Sequence, residues 1–76
     1  MRVLVVDDES AFAGPLAQRL SLRGMDARIA GDAREALSVL QVWPADLVFL
    51  DVGLPGMDGV ALLKLLRERH AQTDVV

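Results

Sequence analysis

Two apolar runs, Val3-Leu4-Val5-Val6 and Leu47-Val48-Phe49-Leu50, contain no polar alternation. A strand with one wet face alternates apolar and polar residues. Uninterrupted runs of this length read instead as strands covered on both faces, the pattern of a parallel sheet with helices on either side. Each run ends in aspartate: Asp7-Asp8 follow the first and Asp51 follows the second. On adjacent parallel strands those carboxylates converge in one small acidic pocket.

The segments between and after the runs supply the helices. From Ser10 to Arg23 the apolar residues Phe12, Leu16 and Leu20 recur every fourth position with Ala13 and Ala17 beside them. That spacing predicts an amphipathic helix stopped by Gly24, with Pro15 removing one backbone bond beyond the first turn. Asp26–Ala30 alternates Ala and Ile with Asp and Arg, which suits a strand at a sheet edge. Asp32 with Glu35 forms a capping-box pattern that opens a helix through about Val42, with Ala33, Ala36, Leu37 and Leu40 as its apolar face. Trp43-Pro44 ends it, because the residue before proline is pushed out of the α region. The second apolar strand covers Asp46–Leu50. A Gly- and Pro-rich loop from Asp51 to Asp58 then leads into a helix from Gly59 to about His70, with Asp58 as its cap and Leu62, Leu63 and Leu66 on its buried side. Asp74-Val75-Val76 reads as the start of a further strand. The order βαβαβα plus a strand start implies an α/β fold with a parallel sheet and right-handed crossovers.

Size and composition limit the alternatives. At 76 residues the chain is one domain, and 53% hydrophobic residues argue against disorder. A chain of this length buries only about 60–65% of its unfolded surface, so its stability margin is small. With no cysteine there is neither a disulfide framework nor a thiolate metal site. The net charge of −3 and the scattered basic residues weigh against nucleic-acid binding by this segment. No apolar stretch approaches the roughly 20 residues of a membrane span, and the short run after Met1-Arg2 is no signal-peptide core. The expected setting is cytoplasmic.

In an open parallel sheet, ligands bind outside the carboxyl ends of the strands where the strand order reverses. If the first and third strands are neighbours, Asp7, Asp8 and Asp51 meet there. Like charges ~4 Å apart repel by roughly 4 kcal/mol at an effective dielectric near 20. A cation relieves that repulsion, and oxygen-only ligands favour Mg²⁺, Mn²⁺ or Ca²⁺. A cation held by a few carboxylates and waters keeps positions open for phosphate oxygens.

Val5-Val6-Asp7-Asp8-Glu9, and then Val48-Phe49-Leu50-Asp51-Val52-Gly53-Leu54-Pro55-Gly56-Met57-Asp58-Gly59, resemble the receiver domain of two-component response regulators over the whole chain in register. The resemblance implies a flavodoxin-like doubly wound sheet of order 2-1-3-4-5, present here as its first three βα units and the start of strand four, so that residues 1–76 form the N-terminal part of a receiver. It implies Asp51 as phosphoacceptor, attacked by the phosphohistidine of a sensor histidine kinase. It implies Mg²⁺ bound by Asp8 directly and by Asp7 through water, with Asp51 and the Gly53 carbonyl as further ligands. The chain is then a phosphoacceptor rather than an enzyme, with at most self-phosphorylation and dephosphorylation chemistry. The family also carries a hydroxyl residue after strand four and a lysine after strand five. Neither has a counterpart here: Thr73 precedes the incipient strand, and the only lysine, Lys64, lies on the third helix.

Other readings stand beside these. A receiver-like binding or assembly module without phosphotransfer, or an inactive fragment of a longer regulator, fits the same residues. Phosphatase-type aspartate chemistry fits poorly, since it resembles an Asp-x-Asp arrangement and the pair here is adjacent. Glu9 reads as helix first-turn charge, His70 as a surface residue near a helix end, Arg67 and Arg69 as a solvated face, and Trp43 as packing at a helix end. With no further strands, strand three is expected to be an apolar edge that pairs with another copy. Exchange of the segment around Val75-Val76 is the other expected route to a homo-oligomer.

Overall fold

The structure, a computed structural model, describes residues 1–51, 59–70 and 72–76. Four parallel strands, β1 (Arg2–Val6), β2 (Asp26–Ala30), β3 (Leu47–Leu50) and β4 (Asp74–Val75), are linked by α1 (Ser10–Leu22), α2 (Ala33–Val42) and α3 (Gly59–Arg69). Their order in the sheet is β2-β1-β3-β4. The chain steps from β1 to β2 on one side and then returns across β1 to β3, so the strand order reverses at β1. This is the doubly wound, flavodoxin-like arrangement expected from the alternating elements.

The register fixes which side chains share a face. Val3, Leu4, Val5 and Val6 stand opposite Leu47, Val48, Phe49 and Leu50 in turn. Leu4, Val6, Ala30 and Val48 join Ala36 and Leu40 of α2 and Leu62 and Leu66 of α3 in one buried core. Val3 and Val5, also buried, point to the opposite face, where α1 lies. Both faces of β1 are therefore dry, as its unbroken apolar run requires. β2 is an edge, as its composition implies, but its exposure does not alternate: Asp26, Arg28 and Ile29 are exposed and Ala30 is buried.

Local signals fix the helix ends. Asp32 accepts a hydrogen bond from the Glu35 backbone N–H at 2.8 Å and caps α2. The return contact falls one residue earlier than in a full capping box: Glu35 Oε2 accepts from the Gly31 N–H at 3.3 Å. Gly24, after α1, has φ of +87°, a conformation glycine adopts without steric cost. Trp43 has left the helical region before Pro44 and is buried, with the guanidinium carbons of Arg28 and Arg2 lying 4.6 and 5.6 Å from its ring centroid. The proposed helix cap Asp58 lies outside the described residues.

Two expectations are corrected. β3 is not an edge. The backbone N–H groups of Asp74 and Val76 donate to the carbonyls of Asp46 and Val48 at 3.0 and 2.8 Å, and the Leu50 N–H donates to Val76 O at 3.0 Å. A very short extended segment is enough to close that side, because the Thr73 hydroxyl donates to Ala45 O at 2.7 Å and fixes where the segment begins. The second correction concerns α1. Its buried residue is Ala13, while Phe12 is 56% exposed and Leu16 and Leu20 are half-buried. A small side chain lets the helix lie close to the sheet, which turns the large apolar stripe sideways.

Leu66→Ala removes a side chain that is 1% exposed and should cost about 2–5 kcal/mol. Asp32→Ala, which loses only a cap, should cost about 1 kcal/mol. Urea unfolding followed by the fluorescence of Trp43, the single tryptophan, measures both.

Candidate functional site

Asp7, Asp8 and Asp51 come from two chain segments more than forty residues apart and meet at the carboxyl ends of β1 and β3. The Asp51 N–H donates to Val6 O at 3.0 Å, which extends the β1–β3 ladder to the aspartate itself. On the other side, the Asp7 N–H donates to Ala30 O at 3.1 Å. Both backbones are thus held by the sheet.

One carboxylate oxygen from each of the three aspartates lies within 4.8 Å of the others. Asp7 and Asp51 are half-buried and Asp8 is exposed. In an octahedron with ligands at 2.0–2.1 Å, opposite ligands lie about 4.2 Å apart and adjacent ones about 3 Å. A spread of 4.8 Å therefore suits a small hard cation held directly by part of the set and through water by the rest. The donor set is all oxygen, which fits Mg²⁺ and excludes any preference for soft metals.

The carboxylate of Asp7 has a fixed orientation. Its Oδ1 accepts from the Glu9 backbone N–H at 2.9 Å, an Asx-type turn that commits one oxygen and leaves the other for the pocket. Glu9 is the N-cap residue of α1 but makes no side-chain cap hydrogen bond. Its useful group is the backbone N–H, a role that a reading of Glu9 as helix charge overlooks. The Asp-x-Glu spacing carried the signal, since aspartate commonly bonds to its own chain two residues on.

The pocket opens into a cleft of about 450 Å³ whose walls include Phe12, Leu16, Phe49 and Val76 along with Asp7, Glu9 and Asp51. The apolar side of this cleft was not foreseen from the sequence, where Phe12 and Leu16 were read only as the apolar positions of an amphipathic helix. Gly53, the remaining expected ligand, lies outside the described residues. Lys64 is exposed on α3, and Thr73 is bonded at the amino-terminal end of β3, so neither joins the pocket.

With this geometry in place, similarity to known proteins is decisive. A profile described as the response regulator receiver domain matches residues 3–76. The chain belongs to the response regulator receiver domain family. Among curated relatives, the sensory transduction protein RegX3 of Mycolicibacterium smegmatis is 45% identical over 69 residues, covering 91% of this chain and 30% of the relative. Among solved structures, the Francisella response regulator 1452 receiver domain superposes with a TM-score of 0.88 at 34% identity, covering 97% of this chain and 61% of that one. A CheY-like receiver domain protein from Methanospirillum hungatei superposes with a TM-score of 0.93 at 30% identity, covering 97% and 59%. The chain thus spans about a third of the length of the curated relatives it matches.

Titration with Mg²⁺ should shift the amide resonances of Asp7, Asp8, Glu9 and Asp51 together. Asp8→Asn and Asp51→Asn should each raise the half-saturation concentration about tenfold or more, since each removes a charged oxygen from a small ligand set.

Proposed function

We propose that this receiver chain accepts a phosphoryl group on Asp51 from the phosphohistidine of a sensor histidine kinase, with Mg²⁺ held by Asp7, Asp8 and Asp51. The observation that carries this reading is the convergence of the three carboxylates within 4.8 Å at the strand-order reversal of a receiver-family sheet. The chain acts as the N-terminal part of a receiver, and as a phosphoacceptor rather than a classical enzyme.

In the transfer, an Asp51 carboxylate oxygen attacks phosphorus in line with the leaving imidazole nitrogen. A P–O bond forms as the P–N bond breaks, and the departing imidazole takes up a proton. Bound Mg²⁺ supplies charge neutralisation to the phosphoryl oxygens. The protein's own part is positional. The β1–β3 ladder holds the nucleophile, and the Glu9 N–H holds Asp7 so that a carboxylate oxygen stays directed at the pocket. The Gly53 carbonyl completes the ligand set in this proposal.

The setting is cytoplasmic, where a kinase's donor domain and Mg²⁺ are both at hand. Among the described residues no helix is long and apolar enough to cross a membrane. Of the two self-association routes expected from sequence, pairing at β3 is closed by β4. Exchange of the Val75-Val76 segment would re-form the same β3–β4 bonds between copies.

Incubation with acetyl phosphate and Mg²⁺ should add one phosphoryl group by intact mass, and the adduct should be absent without Mg²⁺ and in Asp51→Asn. No adduct in the native protein, or one that survives Asp51→Asn, would overturn the assignment.

A further inference from the structure

The ligand set proposed above leaves one acid of this corner unassigned, Glu9. Its backbone is fixed on both sides. The N–H donates to Asp7 Oδ1 at 2.9 Å, and the carbonyl accepts from the Phe12 and Ala13 N–H groups at 3.0 and 2.9 Å. All of these bonds lie within residues 7–13, so the place of Glu9 is set by the turn from β1 into α1 and does not depend on the chain beyond it. A side-chain oxygen at a helix N-cap ordinarily accepts from the free N–H groups of the first turn. That of Glu9 does not. The residue is exposed instead, and it lines the same cleft as Asp7 and Asp51. The Cα atoms of Asp7 and Glu9 are at most about 7 Å apart, inside the ~8 Å Debye length at physiological salt. The Glu9 charge therefore reaches the pocket.

Chemistry at Asp51 divides phosphoryl donors by the charge of their leaving groups. In-line attack by the half-buried Asp51 sends the leaving group away from it, toward the solvent rim where Glu9 stands. With an acyl phosphate, the Asp51 O–P bond forms as the acyl O–P bond breaks, and the acyl oxygen gains negative charge as it takes the bonding pair. With a phosphoimidazole protonated on its free ring nitrogen, the P–N bond breaks instead. Its ring still carries part of its positive charge in the transition state and departs as neutral imidazole. We propose that Glu9 is a donor-specificity residue. Its carboxylate repels a leaving carboxylate and attracts a cationic azole, which biases Asp51 toward phosphohistidine and away from small acyl phosphates. The inference rests on Asp51 being the phosphoacceptor.

Second-order phosphorylation rates with acetyl phosphate and with N-phosphoimidazole, followed by intact mass on the full chain at saturating Mg²⁺, test it. The ratio of the two rates cancels nucleophile reactivity, metal occupancy and the folded fraction, so a merely structural role of Glu9 would not move it. In Glu9→Gln the ratio of acetyl phosphate to phosphoimidazole should rise about threefold, the effect of one unit charge ~7 Å away in water. Glu9→Lys reverses the charge and should raise it about tenfold. Glu9→Asp keeps the charge and should keep the native ratio. All three variants retain the backbone N–H that holds Asp7. Salt at about 1 M, where the Debye length is ~3 Å, should shrink the difference between native and Glu9→Gln. An unchanged ratio in Glu9→Gln and Glu9→Lys, or an equal rise in Glu9→Asp, would overturn the role of Glu9 while leaving Asp51 as acceptor. No adduct from either donor would overturn the acceptor reading and this inference with it.

Discussion

The pairing of β1 with β3 in parallel register is the constraint on which the rest depends. Because Val6 stands opposite Leu50, the residues that follow, Asp7 and Asp51, leave the sheet side by side. A slip of one residue would invert every side chain on one strand, exposing Val48 and burying Phe49 on the α2 and α3 side. The hydrophobic core therefore sets the carboxylate geometry: the same contacts that bury Leu4, Val6 and Val48 bring the acids together. Like-charged groups would not assemble unaided, and it is the sheet's buried apolar area that holds them in place.

The two faces of the sheet are unequally covered. The face carrying Leu4, Val6 and Val48 is closed by α2 and α3 and contains the main core. Among the described residues the other face carries α1, which seats Ala13 against the strands and leaves Phe12, Phe49 and Val76 around a cleft. This asymmetry explains why a helix with a regular apolar period nevertheless exposes a phenylalanine. It also places an apolar wall directly beside the acidic pocket.

Much of this was legible in the sequence. The unbroken runs at 3–6 and 47–50 gave two-faced strands, and the Asp32-Glu35 spacing gave a cap whose bond is present. Asp7, Asp8 and Asp51 were marked by their places at strand ends, and the structure brings all three together. Periodicity failed at α1, because period alone cannot say which of two adjacent stripes faces the sheet when one is built of alanine. It failed again at the edge of β3, where pairing is made by a segment too short to show a pattern, held by three backbone hydrogen bonds and by the Thr73 hydroxyl. The Glu9 N–H contact to Asp7 was missed because attention to a charged side chain hides the backbone group beneath it.

The central claim is that Asp51 and its two companions form one Mg²⁺-dependent phosphoryl site. Fluoroberyllate, a stable mimic of a phosphoryl group on a carboxylate, reports on it by fluorine NMR. The account predicts bound fluorine signals that appear only with Mg²⁺ present and vanish in Asp51→Asn. Bound signals that persist without Mg²⁺ or in Asp51→Asn, or none in the native protein with Mg²⁺, would contradict it.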